Sequence, residues 1–167
     1  MSREKPVAKS KHKPADGGGV VSVASNRRAF HDYEVLEQFE AGIVLVGTEV
    51  KSLRNGHCQL VSAYARVEPD KDIALLISAE IPEYKNAGPL FQHAPQRDRR
   101  LLLHKREMAS IRNSLRQKGT TLIPLRVYFK DGRAKVLLGV CRGKHDYDKR
   151  NVKKERDIKR QLSRYKG

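Results

Sequence analysis

Several of the features that mark secreted, membrane or metal-binding proteins are missing from this chain. It has two cysteines, Cys58 and Cys141, which lie far apart and match no metal-ligand spacing. Free cysteines of this kind are ordinarily small core thiols in a reducing compartment. No apolar run approaches the roughly 20 residues that a membrane span needs. The opening Met1-Ser2-Arg3-Glu4-Lys5-Pro6 lacks the apolar stretch of a secretory signal. A soluble, cytoplasmic protein with no segment anchored in a membrane is expected. Acidic residues are scarce as well: 19 Asp and Glu face 35 Lys and Arg among 167 residues, a formal charge of +16. Such a chain attracts polyanions, which leaves nucleic acid, the ribosome or an anionic membrane as partner classes.

Catalytic constellations are equally thin. The six histidines, His12, His31, His57, His93, His104 and His145, include no Glu-flanked pair at helical spacing and no partner for a zinc finger. No serine occupies a Gly-x-Ser-x-Gly elbow. Gly17-Gly18-Gly19 follows no strand pattern and precedes no Gly-Lys-Ser/Thr, so it reads as a hinge and not as a phosphate loop. Glu37 and Glu40 would face opposite sides of a strand. Asp146 and Asp148 are surrounded by Lys144, Lys149 and Arg150, cations that keep both carboxylates ionised and oppose a proton-sharing pair. A nuclease would need a metal held by carboxylates such as Glu40 and Glu49. The reading is of a binding protein, not an enzyme, with no cofactor.

What is present is a strand-rich body between two basic tails. Residues 1–19 alternate lysines with small residues and prolines and cannot bury enough apolar surface to order. The body, 20–142, opens with Tyr33, Val35 and Phe39 alternating with polar residues. The Glu40-Ala41-Gly42 turn and the apolar run Ile43-Val44-Leu45-Val46 complete a hairpin. Thr48 is placed to cap a two-turn helix that stops at Asn55-Gly56. Ala63, Ala65 and Val67 pair through Pro69–Asp72 with Ile73, Leu75 and Ile77. An exposed loop spans 81–97. Leu101-Leu102-Leu103 opens a helix with Met108, Ile111 and Leu115 inside and Gly119 as its stop. Leu125, Val127 and Phe129 run to Asp131-Gly132, a two-residue turn requiring positive φ, and Ala134, Val136, Leu138 and Val140 return on the same face. About six strands joined by short turns, with two or three short helices, predict a mainly β fold. A closed barrel of the oligonucleotide-binding type avoids exposed edges and is the expected architecture.

From Arg142 onward eleven Lys and Arg stand against four Asp and Glu, a surplus of seven positive charges. Ile158, Leu162 and Tyr165 would form one narrow stripe on a helix, although an isolated helix of this length is marginal in water. The segment 143–167 is expected to be disordered when free and helical against a polyanion; a merely solubilising tail is the alternative.

Cations recur at the ends of the expected elements: Arg27 and Arg28, Lys51 and Arg54, Arg97, Arg99 and Arg100, then Lys130, Arg133 and Lys135. Arg and Lys supply phosphate contacts, while Tyr or His offers faces on which unpaired bases stack. Tyr33, Tyr64, Tyr84 and His31 are available for stacking, although Tyr33 and Tyr64 alternate with core positions and fit half-buried sites equally. Arg28, His31, Lys51 and Arg54 are the candidate RNA contacts from this pattern.

Four ordered blocks resemble the SsrA-binding protein (small protein B) family: Asn26–Tyr33, like its opening strand; Phe39–Gly42 followed by Gly47–Arg54; Arg97–His104; and Gly143–Arg150. The resemblance covers about Val23 to the C-terminus. It implies an oligonucleotide-binding barrel, binding to the tRNA-like part of transfer-messenger RNA, and delivery of that RNA to stalled ribosomes. Glu40, Leu102 and Lys135 match the family's RNA-binding face. A glutamate there can accept hydrogen bonds from base amino groups or orient a nearby Arg; its plainer role would be to cap the Ala41-Gly42 turn. Gly143, Lys144, Asp148, Lys149 and Arg150 match the opening of a tail that occupies the empty message channel at the decoding centre, with Ile158 on its apolar stripe. The partners implied are transfer-messenger RNA and the ribosome, and a monomer is expected. One departure is His104, where relatives often carry Asn, a better helix cap. A generic ribosomal RNA binder and a nuclease also explain the charge, but neither explains the ordered blocks.

Overall fold

The computed structural model describes residues 19–144; residues 1–18 and 145–167 lie outside the described residues. The body contains strands β1 (Val20–Ser25), β2 (Tyr33–Ile43), β3 (Tyr64–Val67), β4 (Ala74–Ile77), β5 (Arg99–Leu102), β6 (Thr120–Lys130) and β7 (Arg133–Gly143). Helices α1 (Arg27–Asp32), α2 (Gly47–Arg54) and α3 (Lys105–Leu115) interrupt them, with a short 3-10 turn at Pro89–Phe91. The fold is mainly β. All seven strands join one sheet in the order β1-β6-β3-β4-β5-β2-β7, and β7 pairs back onto β6. Every pairing is antiparallel. All strands except β1 are therefore paired on both sides, which leaves few free backbone donors at an edge.

The β6–β7 hairpin follows its sequence pattern. Lys130 pairs with Arg133, and Asp131 and Gly132 take φ of 50° and 75°, the positive values that match a two-residue turn to strand twist. Its register shifts between Pro124 and Arg126, where a proline that cannot donate to the ladder is tolerated. The shift separates Leu125 from Val127 and Phe129, which the alternation alone places together. Leu125 packs with Ala29, Ile123 and Cys141 in a small second core, whereas Val127 and Phe129 join the main one with Val136, Leu138 and Val140.

Three expectations are corrected. The Glu40-Ala41-Gly42 turn does not form: β2 runs straight through it, with Phe39 half-buried and Ala41 and Ile43 buried in period two. Gly42 is flanked on both sides, by Leu102 of β5 and Lys135 of β7. A Cβ there would lie 3.3 Å from that of Leu102, so close packing explains the glycine. The Leu101–Leu103 run does not open a helix. Arg99 and Leu101 point inward while Leu102 points out, because two neighbouring strands offer this segment a full ladder. Finally, Asn26–Tyr33 is chiefly helix: β1 precedes it, and Arg27 and Arg28 start α1. Asn26 caps that helix, its Oδ1 accepting from Ala29 N–H at 3.1 Å, while its Nδ2 donates to the carbonyls of Leu60 and Pro124.

The helix starts also differ in detail. Thr48 lies inside α2, and the backbone N–H of Val46 donates instead to Glu49 at 2.9 Å. At α3 the weak cap His104 is compensated by Glu107, whose carboxylate accepts from His104 N–H at 2.9 Å. The expected exposed loop 81–97 is partly built into the fold. Ile81 and His93 are buried, and His93 bridges the Thr48 hydroxyl at 2.8 Å and the Ile81 carbonyl at 2.9 Å.

Candidate RNA interface

Strand register brings together residues from four strands that are far apart in the chain. Tyr128 pairs with Lys135, Lys135 with Gly42, and Gly42 with Leu102, so one row crosses β6, β7, β2 and β5. Directly paired residues point to the same face; this face is the outer one, since Ala41, Val127 and Val136 point into the core. Leu102 is 56% exposed, unusual for leucine. Glu40, two residues from Gly42, reaches diagonally across the row. Its Oε2 accepts from the Tyr128 hydroxyl at 2.5 Å, the Lys130 ammonium lies 3.3 Å from both oxygens, and Lys135 Nζ is 3.9 Å away. The Tyr128 hydrogen bond and the two lysines hold the Glu40 carboxyl below its usual pKa despite partial burial. Burial and the same hydrogen bond raise Tyr128, which stays a phenol and a donor.

Glu40, Leu102 and Lys135 line one open groove of about 660 Å³, floored partly by Val50 and Phe129. Arg54 of α2 joins it indirectly, its guanidinium 5.8 Å from the Phe129 ring centroid. Lys51, one turn earlier, places its ammonium 5.4 Å from the Tyr84 ring centroid. The arrangement offers phosphate-binding cations around an exposed apolar side chain, with a carboxylate that fixes where two of the cations stand. The expectation that Glu40 orients an arginine takes a different form here, since its partners are lysines and a tyrosine. Its plainer role as a turn cap lapses with the turn.

Arg28 and His31 form a separate group on α1. Both hold Asp32, Arg28 Nε at 3.3 Å and His31 Nδ1 at 2.8 Å, and the His31 hydrogen bond leads in keeping the Asp32 carboxyl below its usual range. Tyr33, where β2 begins beside α1, lies seven residues from Glu40, roughly 23 Å along an extended strand. Lys144 closes this end of the molecule: its backbone N–H donates to the Asp32 carbonyl at 2.9 Å, and its ammonium to the Phe30 carbonyl at 3.1 Å. Gly143 pairs with Tyr33. Asp148, Lys149, Arg150 and Ile158 lie outside the described residues.

Two of the expected phosphate contacts are engaged by Glu49, Arg99 in the interior and Arg97 half-exposed above it. Arg99 is fully buried, donating to Glu49 Oε1 at 2.9 Å and to the carbonyls of Ala79, Arg97 and Pro95. Arg97 bridges both Glu49 oxygens at 2.8 and 2.6 Å. The two carboxylates a nuclease metal would need are thus occupied separately, and among the described residues no group of three His, Cys, Asp or Glu is placed to hold a metal. Burial pushes Cys58 and Cys141 up to about 11, which keeps both as thiols at neutral pH. No helix among the described residues is long and apolar enough to cross a membrane.

The family model described as SmpB protein matches residues 23–166. The SsrA-binding protein of Sulfurihydrogenibium sp. (strain YO3AOP1) is 48% identical over 146 residues, 87% of this chain and 94% of the relative. That of Leifsonia xyli subsp. xyli (strain CTCB07) is 50% identical over 142 residues, 85% and 88%. The chain belongs to the SsrA-binding protein family. A solved structure described as "tmRNA-SmpB: a journey to the center of the bacterial ribosome" superposes with a TM-score of 0.63 at 47% identity, covering 75% of this chain and 86% of that one.

Against this family background, Tyr128 and Asp32 are the site residues that sequence reasoning missed. The alternation of β6 already turned Tyr128 outward beside Lys130, but its pairing with Glu40 spans 88 positions. No local signal carries such a contact.

Proposed function

We propose that this protein binds the tRNA-like domain of transfer-messenger RNA through the groove of Glu40, Leu102 and Lys135, and carries that RNA to stalled ribosomes. The row Tyr128–Lys135–Gly42–Leu102 with Glu40 across it is the observation that carries the reading. It unites cations for phosphate, an apolar side chain for a base or ribose, and an acidic clamp that distinguishes this surface from a diffuse basic patch. Relatives named SsrA-binding protein at 48% and 50% identity support the choice of RNA. Lys51 and Arg54 act as further RNA contacts beside the groove, and Arg28 and His31 as contacts at the α1 end of β2. The body 20–142 is one barrel of the oligonucleotide-binding kind, an assignment supported by six strands each paired on both sides. The protein acts by binding, without catalysis, as a cytoplasmic monomer. Its basic tail, which leaves the body at Gly143 and Lys144 where β7 and α1 hold them, occupies the empty message channel through Asp148, Lys149, Arg150 and Ile158.

Titration against the full transfer-messenger RNA and an ordinary tRNA at several salt concentrations tests this directly. A preference for the former that persists as salt weakens the phosphate contribution is the expected result. Equal affinities that collapse together would identify a generic polyanion binder and overturn the proposal.

A further inference from the structure

The segment from Tyr84 to Gln92 holds the two most exposed large apolar side chains among the described residues. Leu90 is 92% exposed and Phe91 76%. The backbone beneath them is tightly organised. The Gln92 amide donates to the carbonyls of Tyr84 at 2.7 Å and Ala87 at 3.0 Å, and its oxygen accepts from Tyr84 N–H at 3.2 Å. Ala87 N–H donates to Tyr84 and Phe91 N–H to Gly88, each at 2.9 Å, and Pro89 opens the 3-10 turn. Five hydrogen bonds thus fix the backbone from which a phenyl ring and a leucine project into water. Preorganisation of this kind lowers the ordering cost of binding a partner.

The loop's surroundings indicate the partner's chemistry. Lys51 of α2 lies over Tyr84 at the base of the loop, and exposed Lys85 follows it. The only carboxylate of the neighbouring residues 82–92 is Glu83. Two side chains cover far less than the roughly 800 Å² per partner of a standard protein interface, whereas one ring suits one base. We propose that this loop is a further RNA contact, in which Phe91 stacks on an unpaired base while Lys51 and Lys85 take adjoining phosphates. The inference rests on the proposed function and extends that surface from α2 onto the loop.

The chain contains no tryptophan, so Phe91→Trp in the full-length protein places a single reporter on the loop. Its emission should be quenched by the tRNA-like domain of transfer-messenger RNA, saturating at the RNA concentration at which filter binding saturates. Phe91→Ala should weaken binding about fivefold to a hundredfold, the usual loss for one stacked base. The salt slope should stay unchanged in that variant, because stacking releases no counterions, and fall by about one in Lys85→Ala. Wild-type affinity in Phe91→Ala, or emission that does not move at saturating RNA, would overturn the inference. So would emission that moves only when ribosomes are added, which would make the loop a ribosome contact. If Lys135→Ala weakens binding and Phe91→Ala does not, the loop inference alone falls. If the wild-type protein shows no preference for this RNA over tRNA, the proposed function falls and takes the inference with it.

Discussion

The guanidinium of Arg99 donates to the carboxylate of Glu49 at 2.9 Å with both side chains fully buried. Arg97 completes a three-charge cluster that joins α2, the 81–98 segment and β5. Arg99 spends its remaining donors on three carbonyls, so the cluster is satisfied on all sides. Among the described residues, no buried side-chain nitrogen or oxygen lacks a partner. Such a cluster adds little net stability by itself, but breaking it strands a buried charge. Its consequence is geometric: α2, the carrier of Lys51 and Arg54, is held in place from behind.

Glu49→Ala should therefore destabilise the fold by about 3–5 kcal/mol, measured by urea unfolding at neutral pH. A loss below about 1 kcal/mol would mean that water or a neighbouring group takes over the role of the carboxylate.

The same carboxylate makes stability depend on pH. Burial raises its pKa, but the hydrogen bonds from Arg97 and the Val46 N–H and the charges of both arginines outweigh that, so it lies below the usual value. A carboxyl lowered in the folded state stabilises fully above its unfolded value, about 4.3, and loses that contribution as pH falls through the lower folded value. The stability gap between wild type and Glu49→Gln should be constant from pH 7 to about 5 and narrow below about 4.3. A gap that widens in acid would contradict the assignment.

Glu40 and Lys135 should fail differently despite being neighbours. Each substitution to alanine should weaken binding of transfer-messenger RNA by about 1–3 kcal/mol. Lys135→Ala removes a cation from the groove and should lower the salt slope by about one. Glu40→Ala removes a negative charge and releases Lys130 and Lys135 from their clamp, so binding to ordinary tRNA should hold or rise while the preference shrinks. Parallel losses on both RNAs would show that Glu40 has only a structural role.

Two truncations should separate the tail from its anchor. Ending the chain after Lys144 keeps both bonds to α1; RNA affinity should stay near normal while tagging of stalled nascent chains is lost. Ending it after Gly143 also removes Lys144, so amide exchange in α1 should speed up and RNA binding should weaken through Arg28 and His31. Identical behaviour of the two proteins would show that Lys144 anchors nothing.

Gly139→Ala is the simplest packing test. The new methyl would lie 2.8 Å from Leu125 Cδ1 and 3.0 Å from Cys141 Sγ, within the second core under α1. Overpacking there should cost about 1–3 kcal/mol, read as a lower unfolding midpoint.

What the sequence alone determined were the features that depend on neighbours in the chain. The +16 charge, the strand period of β6 and β7, the Asp131-Gly132 turn, the Met108 and Ile111 face of α3 and the ordered family blocks were all legible without coordinates. Strand period and turn chemistry act over a few residues, so local patterns carry them. Only the tertiary structure decided that Glu40-Ala41-Gly42 stays extended, that Leu102 belongs to a strand, and that Arg99 is buried. It also decided that Tyr128 meets Glu40 and that Lys144 seals α1. Each of these depends on partners tens of residues away: a glycine reads as a turn until two flanking strands need its missing side chain, and an arginine reads as a surface cation until a buried carboxylate compensates its charge.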